Sequence, residues 1–247
     1  MRSLMIYFQT IIIEKAITSA IFASFLLLFA GCSKDYYPKQ FPPVQSCPDL
    51  PVVTYGGEEY PTVLIENRCW MAKNLNIGIL INDSIHMTDN GVIEKYCYKG
   101  DTANCKIFGG LYQWDEVMQY KSEEGSRGIC PEGWHIPTNR EFVDLFIYAE
   151  NFYEYLIDNQ DTLWKELEYS KNFNLTGFSA IPAGESNYWI LKTYYYGLQN
   201  YAVFWCSKEM DDDVAVFFRI PYSEYVCLDG GFLSKMEGVS IRCIKDE

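Results

Sequence analysis

The cysteines of this chain are numerous enough to form disulfides or a metal site. The chain has nine cysteines, and Cys32 stands apart because it follows a long apolar segment. A zinc site would need C-x-x-C or Cys/His knuckle spacing, which is missing, and the only two histidines are the distant His86 and His135. An even set of cysteines in an exported protein instead indicates disulfides, although eight cysteines allow 105 pairings. The remaining cysteines are Cys47, Cys69, Cys97, Cys105, Cys130, Cys206, Cys227 and Cys243.

The acidic residues could in principle supply catalytic pairs or a metal site. The chain has 33 of them, but nothing in the sequence marks one pair for glycosidase chemistry. No G-x-S-x-G occurs, and two histidines leave no evident Ser/His/Asp or Cys/His arrangement. Asp211, Asp212 and Asp213 are calcium candidates, since hard cations favour clustered carboxylates. Three adjacent acids cannot all point one way, however, so we expect a solvated turn, no metal, no cofactor and no enzyme.

Aromatic residues crowd the stretch 187–205. Strand alternation can bury only about half of such a run, so some rings should remain at the surface. Flat rings with hydroxyl tips suit sugar faces or protein partners. We expect Trp189, Tyr195 and Tyr196 to form part of a glycan or protein contact surface. The alternative is that the tyrosines pack on the segment 151–172.

Charge and length bound the class of protein. The net charge of −13 argues against nucleic acid as a partner, because phosphate binding needs a basic surface. A chain of 247 residues fits a leader plus one domain that is large enough for a real core.

Residues 1–31 indicate a signal peptide. Their uncharged run 16–31 is short for a membrane span of about 20 residues and suits a signal peptide's apolar region. Ala30-Gly31-Cys32 resembles a bacterial lipobox, with Phe29 where Leu is usual. We expect acylation of Cys32 and a lipid anchor in the cell envelope, at the outer membrane. The alternative is an ordinary leader with a free Cys32. Ser33-Lys34-Asp35 loosely resembles surface-export signals.

The rest of the chain divides into a tether and a domain. Residues 32–51 are rich in proline, which favours an extended tether of roughly 3 Å per residue. Residues 52–247 form the domain, with short strands and two main helices. Thr138 and Glu141 form a capping box, and the helix that follows buries a stripe from Phe142 to Ala149. A shorter helix carries Leu111, Trp114, Val117 and Met118. The predicted strands are Val52–Tyr55, Tyr60–Ile65, Arg68–Ala72, Phe178–Pro182, Ala202–Ser207, Val214–Ile220 and Val239–Ile244.

Five sequence blocks in order resemble the Fibrobacter succinogenes major paralogous domain. The most specific is the string Cys-Pro-x-Gly-Trp-His-Ile-Pro-Thr at residues 130–138. The other blocks are Trp70–Asn76, Gly109–Trp114, Gly177–Gly184 and Val239–Asp246. Together they span about residues 50–247.

The resemblance implies an α+β, C-type-lectin-like fold, related to formylglycine-generating enzymes, with short antiparallel sheets and disulfide staples. A cysteine beside the main helix of that fold bonds to one in the last strand, which implies Cys130–Cys243. Cys97–Cys105 is the next most plausible pair. Cys206–Cys227 would pair last, leaving Cys47–Cys69. The closely spaced cysteine pair that holds copper in those enzymes is missing here.

We therefore expect a lipid-anchored, non-catalytic binding or adhesion module of the cell envelope, with a glycan or a surface protein as its partner. The alternatives are a structural or assembly component of the cell surface, or a degenerate formylglycine-generating-like enzyme.

Overall fold

A computed structural model describes residues 40–158, 163–165, 173–189, 192–221 and 229–247 of the chain. It is a mixed α/β structure with few helices, and nearly all of its strand pairs are antiparallel. The helices are α1 (Thr102–Phe108), α2 (Trp114–Val117) and α3 (Asn139–Tyr148), with 3-10 turns at Tyr98–Gly100 and Tyr153–Tyr155. The strands are β1 (Val52–Tyr55), β2 (Glu58–Ile65), β3 (Arg68–Met71), β4 (Ile79–Leu80), β5 (Glu94–Lys95), β6 (Trp134–His135), β7 (Glu185–Trp189), β8 (Lys192–Tyr196), β9 (Tyr201–Glu209), β10 (Val214–Pro221), β11 (Asp229–Ser234) and β12 (Ile244–Lys245).

One sheet joins the two ends of the domain in the order β1-β2-β3-β12-β6. The predicted first hairpin is confirmed, and both glycines of its turn, Gly56 and Gly57, have positive φ (58° and 81°). β12 lies between β3 and β6, with Ile244 opposite Trp70 on one side and His135 on the other. β12 is therefore an inner strand of this sheet, paired on both sides.

A second sheet, in the order β11-β10-β9, separates two parts of the core. Side chains alternate along β9, so Val203 and Trp205 face one apolar cluster while Phe204 and Cys206 face the other. The rings of Phe204 and Trp205 are both fully buried. The strands predicted at Ala202–Ser207 and Val214–Ile220 are confirmed as the middle parts of β9 and β10.

Helix α3 covers this second sheet. Thr138 caps it, and the reciprocal capping box with Glu141 is present. Phe142 stacks on Phe218 of β10 with ring centroids 4.7 Å apart. The predicted apolar stripe is confirmed, since Phe142, Leu145, Phe146 and Ala149 are all buried.

Several predicted elements differ from the structure. The short helix is only Trp114–Val117, and α1 had not been predicted. Phe178–Pro182 forms one bridge, through Ala180, rather than a strand. Positive φ at Gly177 (77°) and Ser179 (54°) explains this, because it turns the chain away from an extended course. Likewise Val239–Ile244 contributes isolated bridges and only the start of β12. Much of the segment 151–172 lies outside the described residues.

The segment 41–51 is docked on the domain rather than extended away from it. Phe41 packs edge-on against Tyr148 of α3, with ring centroids 5.4 Å apart. A disulfide joins Cys47 to Cys69 of β3. The compact unit therefore begins at Phe41, and the tether expected at 32–51 was wrong for its last eleven residues. Residues 32–39, with Cys32, lie outside the described part.

Candidate functional site

Arg242 lies at the centre of the blocks that carry the family resemblance. Its side chain is fully buried. Nε donates to Asn74 Oδ1 (2.6 Å), Nη1 donates to the carbonyls of Phe178 (2.6 Å) and Met71 (3.1 Å), and Nη2 donates to the carbonyl of Ser179 (2.7 Å). One guanidinium thus fastens three of the blocks to each other.

The surroundings of Arg242 suit a structural role. Its guanidinium carbon lies 4.8 Å from the ring centroid of Phe178 and 5.6 Å from that of Phe204. Burial lowers the pKa of Arg242 to about 9, against the opposing charge of Asp158. Four of the five N–H donors of this guanidinium are bonded inside the fold, and the side chain is fully buried, so an external ligand does not reach it.

His135 belongs to a second polar cluster that is also structural. Its Nδ1 lies 2.7 Å from Asp246 Oδ1, and its Nε2 lies 3.1 Å from Glu141, which also bonds Arg68. Burial lowers the pKa of His135, but hydrogen bonds to Glu141 and Asp246 outweigh it and hold that pKa above its ordinary value. Both ring nitrogens are engaged, as expected for a packed histidine.

Three disulfides join the cysteine pairs that the resemblance and the remaining cysteines implied. They are Cys47–Cys69, Cys97–Cys105 and Cys130–Cys243. Cys206, by contrast, is a free and fully buried thiol. Cys206 points into the cluster beneath α3, where burial raises the pKa of its thiol. Cys227 itself lies outside the described residues.

The acidic run at 211–213 closes the turn between β9 and β10. Asp211 Oδ1 accepts hydrogen bonds from the backbone nitrogens of Asp213 and Val214, both at 2.9 Å. Asp211, Asp212 and Asp213 are all exposed. Within the described ranges, no group of three His, Cys, Asp or Glu side chains is placed to hold a metal ion. The turn is therefore built by an Asx-type bond of one of its acids.

The hairpin of β7 and β8 presents the most exposed aromatic pair of the candidate region. Lys192, Tyr194 and Tyr196 alternate along β8 and share one face, which we call the tyrosine face. Tyr194 is 39% exposed and Tyr196 50%. Their ring centroids are 6.4 Å apart and their planes differ by 18°. The ammonium of Lys192 lies 5.3 Å from the Tyr194 centroid.

Tyr195 points to the opposite side of the hairpin, so the residues of the predicted contact surface lie on two different faces. Its hydroxyl donates to Asp83 Oδ2 (2.9 Å), and its ring lies against Tyr98 with centroids 5.0 Å apart. Tyr195 and Tyr196 therefore do not belong to one surface. Tyr194, rather than the expected Tyr195, shares a face with Tyr196. Side chains of a strand alternate between its two faces, so the sequence could have predicted that Tyr195 lies on the opposite face from Tyr194 and Tyr196. Trp189 ends β7, and its side chain is outside what the structure describes.

A buried polar row borders the tyrosine face. Asn187 lies opposite Tyr194 in the hairpin and donates from Nδ2 to Glu237 Oε1 (3.0 Å). Glu185, opposite Tyr196, pairs with Arg219 (3.2 Å). Burial raises the pKa of Glu237 to about 7, and the charge of Glu185 acts in the same direction. Sequence reasoning missed this row because its members are distant along the chain.

A cleft of about 170 Å³ is lined by His86, whose ring packs on Tyr188 of β7, and by Met87, Gln113 and Lys235. Gln113 crosses it, accepting from the Met87 nitrogen (2.8 Å) and donating to the Met236 carbonyl (2.7 Å). Lys235 pairs with Glu209 over the ring of Trp114. The polar groups of this cleft hold the fold together, which leaves the tyrosine face as the better candidate for ligand contact.

The structure defines a disulfide-linked α/β domain whose sequence blocks build its core. The chain belongs to the family described as the Fibrobacter succinogenes major domain, whose model matches residues 63–245. No curated protein matches the chain, and no solved structure does either. Along the described residues, no helix is long and apolar enough to cross a membrane. Family membership itself names no ligand and no reaction.

Proposed function

We propose that this protein is a lipid-anchored, non-catalytic binding module of the cell envelope. The anchor rests on the sequence alone, through Ala30-Gly31-Cys32 after an apolar run. Acylation of Cys32 would hold the protein at the outer membrane. The docked segment from Phe41 onward would then leave only a short stretch, 33–40, between lipid and domain.

The fold that we propose is C-type-lectin-like. In support, Cys130 stands before the capped main helix and bonds to Cys243, next to the final strand β12. The helix and the last strand are thus joined in the way that the resemblance implied.

One observation carries the binding function, namely the exposed and nearly parallel pair Tyr194 and Tyr196. Both rings are partly exposed on a short hairpin, and neither belongs to an apolar cluster of the described core. Tyrosine combines apolar area with hydrogen bonding at low entropy cost, which suits contact with sugar faces. We therefore place the ligand, a glycan in preference to a surface protein, on the tyrosine face.

The proposal of a non-catalytic role has its own support in the described residues. Both nitrogens of His135 are engaged, and His86 Nδ1 contacts Gln113 while its ring packs on Tyr188. Cys206, the free thiol, is buried and its pKa is raised, which disfavours the reactive thiolate.

A glycan array probed with the full chain in detergent tests this function. Tyr194→Ala/Tyr196→Ala should lose binding to every glycan that wild type retains. Phe152→Ala/Phe232→Ala is the matched control, because these rings are also exposed (38% and 59%) but lie outside the hairpin. Equal binding by wild type and the tyrosine variant would contradict the proposal.

A further inference from the structure

We propose that the tyrosine face recognises an acidic glycan, one whose sugars carry a carboxylate or sulfate group. The sugar rings would lie on Tyr194 and Tyr196, and the anionic group would contact the ammonium of Lys192. This inference rests on the proposed function and names the ligand class for the same surface.

Geometry places the ammonium and the two rings in one row. Lys192, Tyr194 and Tyr196 are separated by two residues each along β8, so the row is roughly 13 Å long. The ammonium lies 5.3 Å from the first ring centroid, and the second ring centroid lies 6.4 Å further. A chain of linked sugars could contact all three side chains at once.

The charge distribution favours an anion at this face. The chain carries a net charge of −13. Of the described acids that contact the hairpin, however, Glu185 and Glu237 are buried (8% and 7% exposed), and Asp83 is bonded to Tyr195 on the opposite side. Glu185 is neutralised by Arg219, and Glu237 accepts from Asn187. Lys192 is exposed and, among the residues that the structure describes, pairs with no carboxylate. Among the described residues, the accessible charge of the face is therefore positive.

Size and hydrogen-bonding capacity favour a glycan over an acidic protein. Two rings and one ammonium form a patch well below the roughly 800 Å² per partner of a stable protein interface. Within the described part of the chain, the hydroxyls of Tyr194 and Tyr196 make no hydrogen bond. Each can therefore donate to and accept from ligand hydroxyl groups.

The test compares a charged ligand with its neutral counterpart. Calorimetric titration of the full chain in detergent would use an oligouronate, the same oligomer with its carboxylates methyl-esterified, and a sulfated oligosaccharide with its unsulfated parent. We expect each acidic oligomer to bind about threefold more tightly than its neutral counterpart, since an exposed ion pair contributes about 0.2–1 kcal/mol. The preference should shrink as salt rises toward about 1 M, because the exposed pair is screened.

Lys192→Gln is the decisive variant. It should reduce affinity for the acidic oligomers to that of the neutral ones and leave neutral binding unchanged. Lys99→Gln is the matched control, since Lys99 is also exposed and lies over a tyrosine ring, that of Tyr98 (5.9 Å). It should retain the full preference.

Equal binding of acidic and neutral oligomers, or a preference that survives Lys192→Gln, would overturn the acidic assignment and leave tyrosine-dependent binding intact. Binding of polyglutamate without binding of any acidic oligosaccharide would overturn the glycan assignment. The proposed function itself fails separately, if Tyr194→Ala/Tyr196→Ala binds every probe as wild type does.

Discussion

The cluster around Arg242 and the tyrosine face differ in how their polar groups are used. The polar groups of the first are buried and bonded within the fold, and those of the second are exposed. Arg242 is fully buried, and its guanidinium donates hydrogen bonds to carbonyls of its own chain. Tyr194 and Tyr196 are exposed, and their hydroxyls are left for solvent or a ligand. The first region lies in the blocks by which the family is recognised, and the second lies between them, at 185–196. The blocks that carry the family resemblance therefore include residues that build the fold, whereas the ligand contact that we propose lies outside those blocks.

Replacing Arg242 should have the largest effect on stability. Arg242→Met fills a similar space but leaves the carbonyls of Phe178 and Ser179, the Met71 carbonyl and Asn74 Oδ1 without donors. At about 1–3 kcal/mol for each buried unsatisfied group, the loss should be at least about 4 kcal/mol. Urea unfolding followed by tryptophan fluorescence would measure it, or the variant would fail to fold.

Arg140→Met is the matched control for that experiment. Among the described residues, Arg140 pairs only with Asp144 on the surface of α3, and its side chain is 79% exposed. Its removal should leave the urea midpoint nearly unchanged. A similar loss in both variants would mean that the Arg242 cluster does not hold the domain together.

The long disulfide should come second. Cys130 and Cys243 are 113 residues apart, and the loop-entropy relation assigns such a crosslink roughly 4–5 kcal/mol. Cys97 and Cys105 are only 8 apart, for which the same relation gives about 2.5 kcal/mol. The double alanine variant of the first pair should therefore lower the free energy of unfolding more than that of the second. The reverse order would show that strain or denatured-state structure, rather than loop length, controls these crosslinks.

Sequence reasoning succeeded where a local rule or a specific resemblance decided the outcome. The capping box of Thr138 and Glu141 needs only two residues three apart, and the first hairpin needs only Gly56-Gly57 between apolar runs. The long disulfide followed from the resemblance, because spacing alone could not select it.

Sequence reasoning failed where residues distant along the chain determine the local backbone conformation. Phe178 and Ser179 look like part of a strand, but Arg242, more than sixty residues away, binds their carbonyls and fixes a bent course. The same holds for Phe41, whose burial against α3 turns an apparent tether into part of the domain. Interactions of this kind have no local pattern, so composition and periodicity could not reveal them.

Glu237 gives a third and smaller effect that depends on pH. Its folded-state pKa of about 7 lies above the ordinary 4.5, so the folded state binds its proton more tightly than the unfolded state. The contribution to stability is complete below pH 4.5 and is lost as the pH rises through 7. Glu237→Gln should flatten this dependence and raise stability at pH 8 by on the order of 2 kcal/mol, less than the full shift implies because the carboxyl is partly screened.

Melting curves from pH 5 to pH 8 would check this, with the exposed Glu59→Gln as the matched control. A dependence that stays as steep in Glu237→Gln as in wild type would place the titrating group elsewhere.

The three consecutive tyrosines of β8 should differ sharply in their contribution to the free energy of unfolding, and the exposed pair should contribute least of all the residues considered. Tyr195→Ala removes a ring packed on Tyr98 and a hydrogen bond to Asp83, which should cost about 2 kcal/mol. Tyr194→Ala/Tyr196→Ala removes two rings instead of one, yet should change the free energy of unfolding by less than about 0.5 kcal/mol, because these rings are in solvent. Urea unfolding of both variants would compare them directly.

A double variant as unstable as Tyr195→Ala would make the tyrosine face part of the core and remove the basis for ligand binding there. A double variant as stable as wild type would mean that any loss of binding it shows comes from the lost contacts and not from unfolding.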